Sequence, residues 1–209
     1  MTYPQLRQLA EHRPLVLGSA SPRRAMLLKE TGIPFEIVKP NLEEAQLPDE
    51  VPYDYAERLA RDKALEVAKL VDQDCIVLGC DTIVVLGNDV LEKPIDKKDA
   101  FVILDRLRGK WHVVCSAIAI CRRKEILKSG FELTRVHFNP VSDRQLWEYI
   151  ESGEPMDKAG AYGIQGIGGF LVDTIEGSLD TVIGFPRTLL ERMAGEILQS
   201  FDPESSDWE

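Results

Sequence analysis

A layered α/β fold built on a mixed sheet is what this sequence of 209 residues predicts. Three observations carry the expectation. Short apolar runs that read as strands alternate with amphipathic stretches that read as helices. Two long β-rich segments, Trp111 to Cys121 and Ile126 to Phe138, flank the polar turn Arg122 to Glu125 and resemble an antiparallel hairpin, so the sheet is mixed rather than purely parallel. No internal repeat or low-complexity linker interrupts the chain, whose length fits one large domain or two small ones.

Pro14 to Leu17 reads as a short buried strand, after which Gly18-Ser19-Ala20-Ser21 turns the chain. Pro22 suits a first helical position and Gly32 the stop. Phe35 to Val38 reads as a second strand, followed by an acidic loop from Asn41 to Glu50 and a helix from about Tyr53 to Val71. Cys75 to Leu86 is β-rich, and Gly87-Asn88 predicts a hairpin turn before Val90-Leu91. A helix follows over Lys97 to Leu107, ending at Gly109. Beyond the long hairpin, Ser142 caps a helix running to Ile150. The glycine-rich stretch Gly160 to Gly169 precedes a strand at Phe170 to Ile175, and a last helix covers Arg187 to Leu198. The acidic tail at 202–209 is expected to be loosely ordered.

Composition narrows the function classes. With 44% hydrophobic and 29% charged residues the chain is neither a disordered tail nor a membrane protein. The longest apolar run, Val113 to Cys121, contains a serine and is about half the ~18 residues a spanning helix needs. The N-terminal residues Met1 to Gln5 lack the basic flank and apolar stretch of a secretory signal, so a cytoplasmic protein with no membrane partner is expected. A net charge of −10 repels nucleic-acid backbones, which argues against a DNA or RNA partner while leaving room for a small phosphorylated ligand at a local knot of cations. Cys75, Cys80, Cys115 and Cys121 lie in apolar runs without C-x-x-C spacing and read as buried, reduced thiols. His12, His112 and His137 are scattered, so a histidine metal site is not expected.

Five features stand out as chemical. Ser19-Ala20-Ser21-Pro22-Arg23-Arg24 is a strand-to-helix turn whose N–H groups can cradle an anion. Arginines in a first turn oppose the helix dipole, which makes sense if an anion lies between them and the helix end; the alternative is an ordinary serine cap with solvated arginines. Lys63 falls in the middle of the apolar face formed by Ala56, Leu59, Ala60, Val67, Leu70 and Val71, and must snorkel out or meet an anion. Asp81 interrupts an apolar β segment and needs a cation, a metal or good donors, unless Asp81-Thr82 is merely a turn. Gly79 before it allows close approach of a ligand or a neighbouring backbone. Glu43 or Glu44 in the acidic loop offers a partner, and carboxylates with water suit a hard ion such as Mg²⁺. Glu92-Lys93-Pro94 pins Lys93 at a strand end, where solvent exposure is the plain alternative. In Asp157 to Gly166, glycines around Tyr162 and Gln165 permit close wrapping, and Gln165 offers both donor and acceptor to a base edge; a merely flexible loop is the alternative.

Together these stretches resemble the Maf family of nucleotide pyrophosphatases, also called septum-formation-like proteins. The resemblance rests on Leu17 to Arg24, Arg58-Leu59-Ala60-Arg61-Asp62-Lys63-Ala64 and Gly79-Cys80-Asp81-Thr82-Ile83-Val84. Leu91-Glu92-Lys93-Pro94, Asp157 to Gly166 and Val182-Ile183-Gly184-Phe185-Pro186 complete it, in the family's order, from about Leu15 to Leu198. It implies one domain over 1–209 with a core of about 15–198, and an α/β fold with an elongated mixed central sheet flanked by helices. Two lobes around a cleft, similar to inosine-triphosphate pyrophosphatases, are implied as well.

The implied activity is hydrolysis of a nucleoside triphosphate to the monophosphate plus pyrophosphate, dependent on a divalent cation (Mg or Mn), by a homodimer. The Ala-Tyr-Gly-Ile-Gln-Gly loop is similar to the subgroup acting on dTTP and UTP. By motif, Asp81 is the implied general base, and Ser19, Arg23, Lys63 and Lys93 contact the substrate with Arg24 assisting. Arg23, Thr82 and Gln165 match positions linked to substrate choice, and Glu44 with Asp81 is the implied metal pair. Asn41 stands where the family often has an acid, and Asp180-Thr181 precedes Val182 where a neutral residue is frequent. A 7-methyl-GTP or other modified-nucleotide pyrophosphatase is one alternative, and a non-catalytic nucleotide-binding regulator is the other. Carboxylates at 44 and 81 argue against the regulator, since a pure anion site has little use for them.

Overall fold

Strands β1 (Leu15–Gly18), β2 (Phe35–Val38), β3 (Ile76–Leu86), β4 (Asp89–Leu91), β5 (Trp111–Arg122), β6 (Glu125–Phe138) and β7 (Val172–Glu176) form one mixed sheet. Its order is β2-β1-β3-β5-β6-β7, with β4 paired to β3. The protein is seen here as a computed structural model that describes residues 2–200, so the tail expected at 202–209 lies outside the described residues. The chain adds α1 (Pro4–His12), α2 (Pro22–Lys29), α3 (Pro52–Leu70), α4 (Lys97–Leu107), α5 (Asp143–Glu151), α6 (Leu179–Ile183) and α7 (Arg187–Ser200).

β1 pairs in parallel with both β2 and β3, and every other pairing is antiparallel. The β5–β6 hairpin closes through Arg123 and Lys124, both at positive φ. Period-two alternation along the strands splits the core. Leu15, Leu17, Leu78 and Ile118 pack with α1, α2 and α7, whereas Val16, Val77, Ala117 and Ala119 pack with α3. A third cluster, with Val84, Leu91, Val114 and Phe138, is closed by α4 and α5. Among the described residues, no helix is long and apolar enough to cross a membrane.

The sequence-based boundaries hold to within about two residues for most elements, and Ser142 forms a capping box with Gln145 at the start of α5. Two helices, α1 and α6, were not expected. α1 has no side-chain cap of its own, and its first free N–H groups, on Gln5 and Leu6, are instead accepted by the Glu191 carboxylate from α7. The strand expected from Phe170 begins at Val172, because residues Ile167–Leu171 form a 3₁₀ turn.

Candidate active site

Local packing explains how the charged residues come together. Gly79 of β3 lies directly beneath α3, and a Cβ there would run into Ala60 O and come within 2.6 Å of Ala64 N. The bare backbone at Gly79 therefore serves a neighbouring backbone, and α3 settles close enough for Lys63 to reach the next residue on the same strand face, Asp81.

Lys63, only 5% exposed, meets two anions rather than snorkelling out. Its ammonium lies 2.6 Å from Asp81 Oδ1 and 2.7 Å from Glu44 Oε1, so the acidic loop folds back over the helix. Asp81 is 4% exposed and, among the described residues, its other oxygen accepts no hydrogen bond. Lys93 Nζ approaches Glu44 Oε2 at 3.6 Å. Partial burial pushes the Glu44 carboxyl up, but the hydrogen bond and charge of Lys63, with Lys93 and Arg24 behind it, hold it below its ordinary value. Glu92 goes the other way. Loss of solvent around its carboxyl raises it and the Asp81 and Glu44 charges add to the rise, against a hydrogen bond from Tyr55 Oη at 3.2 Å and the charge of Lys93.

These groups line a cavity of about 560 Å³, and Ser19, Arg23, Arg24, Thr82 and Gln165 line it too. Every residue given a catalytic, substrate or metal role by the resemblance thus borders one space. Their situations differ. Arg24 turns away from the helix start: Nε donates to Gly184 O at 3.0 Å, Nη1 to Cys80 O at 2.7 Å and Ser19 Oγ at 3.2 Å, and Nη2 to Thr82 Oγ1 at 3.1 Å. Carbonyls and hydroxyls thus occupy most of the donors that were expected to await an anion. Arg23 stays at the rim, 3.2 Å from Asp157 Oδ2. Gln165 is exposed in its loop.

Sequence reasoning gave no role to Tyr55 or Glu92, which share the cavity. Glu92 sits in the Glu92-Lys93-Pro94 motif, so its position was visible while its neighbours were not. Among the described residues, no three His, Cys, Asp or Glu side chains converge into a metal-binding group. The Glu44–Asp81 pair nevertheless fits a hard cation that takes one or two carboxylates and draws its remaining ligands from water and substrate phosphates.

Fold and site define a class: a mixed α/β protein whose sheet carries a cleft lined by cations and carboxylates together. Within that class, the chain belongs to the Maf-like protein family, which matches residues 14–197. It is 49% identical over 172 residues to a dTTP/UTP pyrophosphatase of Yersinia pestis, covering 82% of this chain and 87% of that one. It is 45% identical over 191 residues to a probable bifunctional dTTP/UTP pyrophosphatase/methyltransferase protein of Homo sapiens. That match takes in 84% of this chain but spans only 30% of the human protein's length. Among solved structures, a HAM1 protein from Coxiella burnetii aligns over 90% of this chain and 100% of its own, at 12% identity and a TM-score of 0.47.

Proposed function

We propose that this protein hydrolyses nucleoside triphosphates, dTTP and UTP foremost, to the monophosphate and pyrophosphate. The observation that carries the reading is Asp81: a buried carboxylate on the cleft wall, tied through one oxygen to Lys63 and, among the described residues, with the other unengaged. Relatives named dTTP/UTP pyrophosphatases support the same substrates.

In this reading Arg23 and Lys93 at the rim, with Lys63 deeper in, hold a triphosphate of about −4 charge at neutral pH. Asp81 takes the proton of a water attacking the α-phosphorus in line. The new P–O bond forms as the bond to the β-phosphate oxygen breaks, and pyrophosphate leaves. Little covalent chemistry is asked of the protein; positioning and fixed charge do most of the work. Mg²⁺ or Mn²⁺, for which Glu44 and Asp81 are the residues in place, would supply neutralisation of phosphate charge and polarisation of the attacking water. Gln165, with donor and acceptor on one amide, suits the edge of a pyrimidine.

A panel of canonical and modified triphosphates, assayed with Mg²⁺ or Mn²⁺ and scored for pyrophosphate against orthophosphate, tests this. The expected result is pyrophosphate, released fastest from dTTP and UTP. Release mainly from 7-methyl-GTP overturns the substrate assignment, orthophosphate overturns the bond assignment, and no release from any nucleotide overturns the enzyme.

A further inference from the structure

The loop that carries Gln165 is built around a carboxylate of the protein's own. Glu154 opens a 3₁₀ turn, Glu154–Asp157, after Gly153 in a left-handed conformation. Its side chain reaches forward beneath the loop, where Oε2 accepts from Ile167 N at 2.8 Å and Oε1 from Gly168 N at 3.0 Å. Oε1 also accepts from Tyr149 Oη at 3.1 Å, and that hydroxyl in turn accepts from Gly163 N at 3.2 Å. Backbone groups on both sides of Gln165 are therefore fastened to a single Glu154–Tyr149 unit.

The glycines of this loop are explained by the same contacts. A Cβ on Gly166 would collide with the Glu154 carboxylate, and one on Gly168 would lie 2.5 Å from Tyr149 Oη. At Gly163 it would come within 2.8 Å of Lys158 Cε. Close wrapping, which the sequence pattern predicts, is thus wrapping around Glu154, Tyr149 and Lys158. Ile164 packs against the core on one flank of Gln165. Gln165 itself makes no hydrogen bond among the described residues and stays exposed at the cleft, its backbone fixed and its amide unengaged.

We propose that Glu154 is a positioning residue for base recognition: its carboxylate, with Tyr149, sets the loop that presents Gln165 to the nucleobase. This rests on the triphosphate reading above. Ile167 N and Gly168 N each use a separate oxygen of the Glu154 carboxylate, and glutamine has only one acceptor oxygen to offer. In Glu154→Gln one face of the side chain becomes a donor, so either Ile167 N or the Gly168–Tyr149 side loses its partner. Lys63 and Lys93 lie on other elements, and Arg23 meets this turn only through the Asp157 side chain, which the Glu154 substitution leaves in place.

The test compares Glu154→Gln and Tyr149→Phe with the parent on dTTP, UTP, dATP and dGTP, using inorganic tripolyphosphate as a base-free competitor. Expected for Glu154→Gln is a KM for dTTP raised about tenfold and a pyrimidine-over-purine preference reduced by about the same factor. kcat at saturating dTTP should stay within about threefold of the parent, and the tripolyphosphate inhibition constant should not move. Tyr149→Phe keeps the buried ring and loses only the hydroxyl, so it gives the same direction of change at about a third of the size. An unchanged preference in both variants overturns the proposal. So does a parallel loss on all nucleotides with weakened tripolyphosphate inhibition, which marks general collapse of the cleft. A parent chain inactive on every triphosphate overturns the function beneath it instead.

Discussion

Strand β3 has an ion cluster at its start and another at its middle, and the two are opposites. At the start, Asp74 accepts hydrogen bonds from three arginines, among them Arg122 Nε at 3.0 Å and Nη2 at 2.8 Å, Arg13 Nε at 3.0 Å and Arg123 Nε at 3.1 Å. Guanidinium groups outnumber the carboxylate there, and both of its oxygens are engaged. At the middle, one ammonium serves two carboxylates, and Asp81 has a single hydrogen bond. A saturated carboxylate fixes structure, here by joining α1's end, β3 and the β5–β6 turn. A half-satisfied one on a cleft wall, its second oxygen open to the cleft, is a group with capacity left over for whatever enters.

Gly79→Ala should break the comparison most violently. The added methyl meets Ala60 O and Ala64 N, helix backbone that cannot swing aside, so α3 must lift from β3 and Lys63 must leave Asp81. A loss of more than about 4 kcal/mol is expected by chemical denaturation, together with loss of turnover. An alanine variant of parental stability would mean that α3 does not lie against β3 in this way.

Asp74→Ala should strike only the other cluster. It removes two hydrogen bonds from Arg122, which is 5% exposed, and leaves the neighbouring cations without that carboxylate. Because Asp74 is itself 28% exposed, the cost is put below that of a fully buried pair, at about 2–3 kcal/mol. That corresponds to a fall of about 5–10 °C in Tm, with kcat for dTTP unchanged. Equal loss of rate and stability would merge two regions that the geometry keeps apart.

Acid titration sharpens the contrast more gently. The Arg122 hydrogen bonds, with Arg13 and Arg123, hold the Asp74 carboxyl well below the usual range, while Glu44 is lowered against the pull of its own burial. For a depressed carboxyl, the stabilisation is complete above its unfolded value and is lost as pH falls through the folded one. Unfolding free energy should therefore decline below about pH 4, and Asp74→Asn should flatten that decline more than Glu44→Gln does. The reverse ranking would place the stronger charge contact in the cleft.

Much of this was legible in the sequence, for reasons that also set its limits. Apolar runs and helix signals marked β1 to β7, α2 to α5 and α7, because the cues for them, such as Pro22 and the Ser142 cap, lie in neighbouring residues. α1 was missed because its cap, Glu191, lies on a different helix far along the chain. Charges in apolar surroundings singled out Lys63 and Asp81, but not that each answers the other, since their meeting depends on how closely α3 rides over Gly79. Arg24 looked like an anion ligand from its place at a helix start. Only the fold shows Gly184 and Cys80 carbonyls waiting for it.

The most direct test of the account is pyrophosphate release from dTTP by Asp81→Asn. Lys63 keeps Glu44 as its partner in that variant, so folding and nucleotide binding should survive. The expected result is a kcat lower by about 10²- to 10⁴-fold at a Tm within a few degrees of the parent. Turnover at the parent rate would contradict the assignment of the proton-accepting group to β3 and leave the half-satisfied carboxylate without a function.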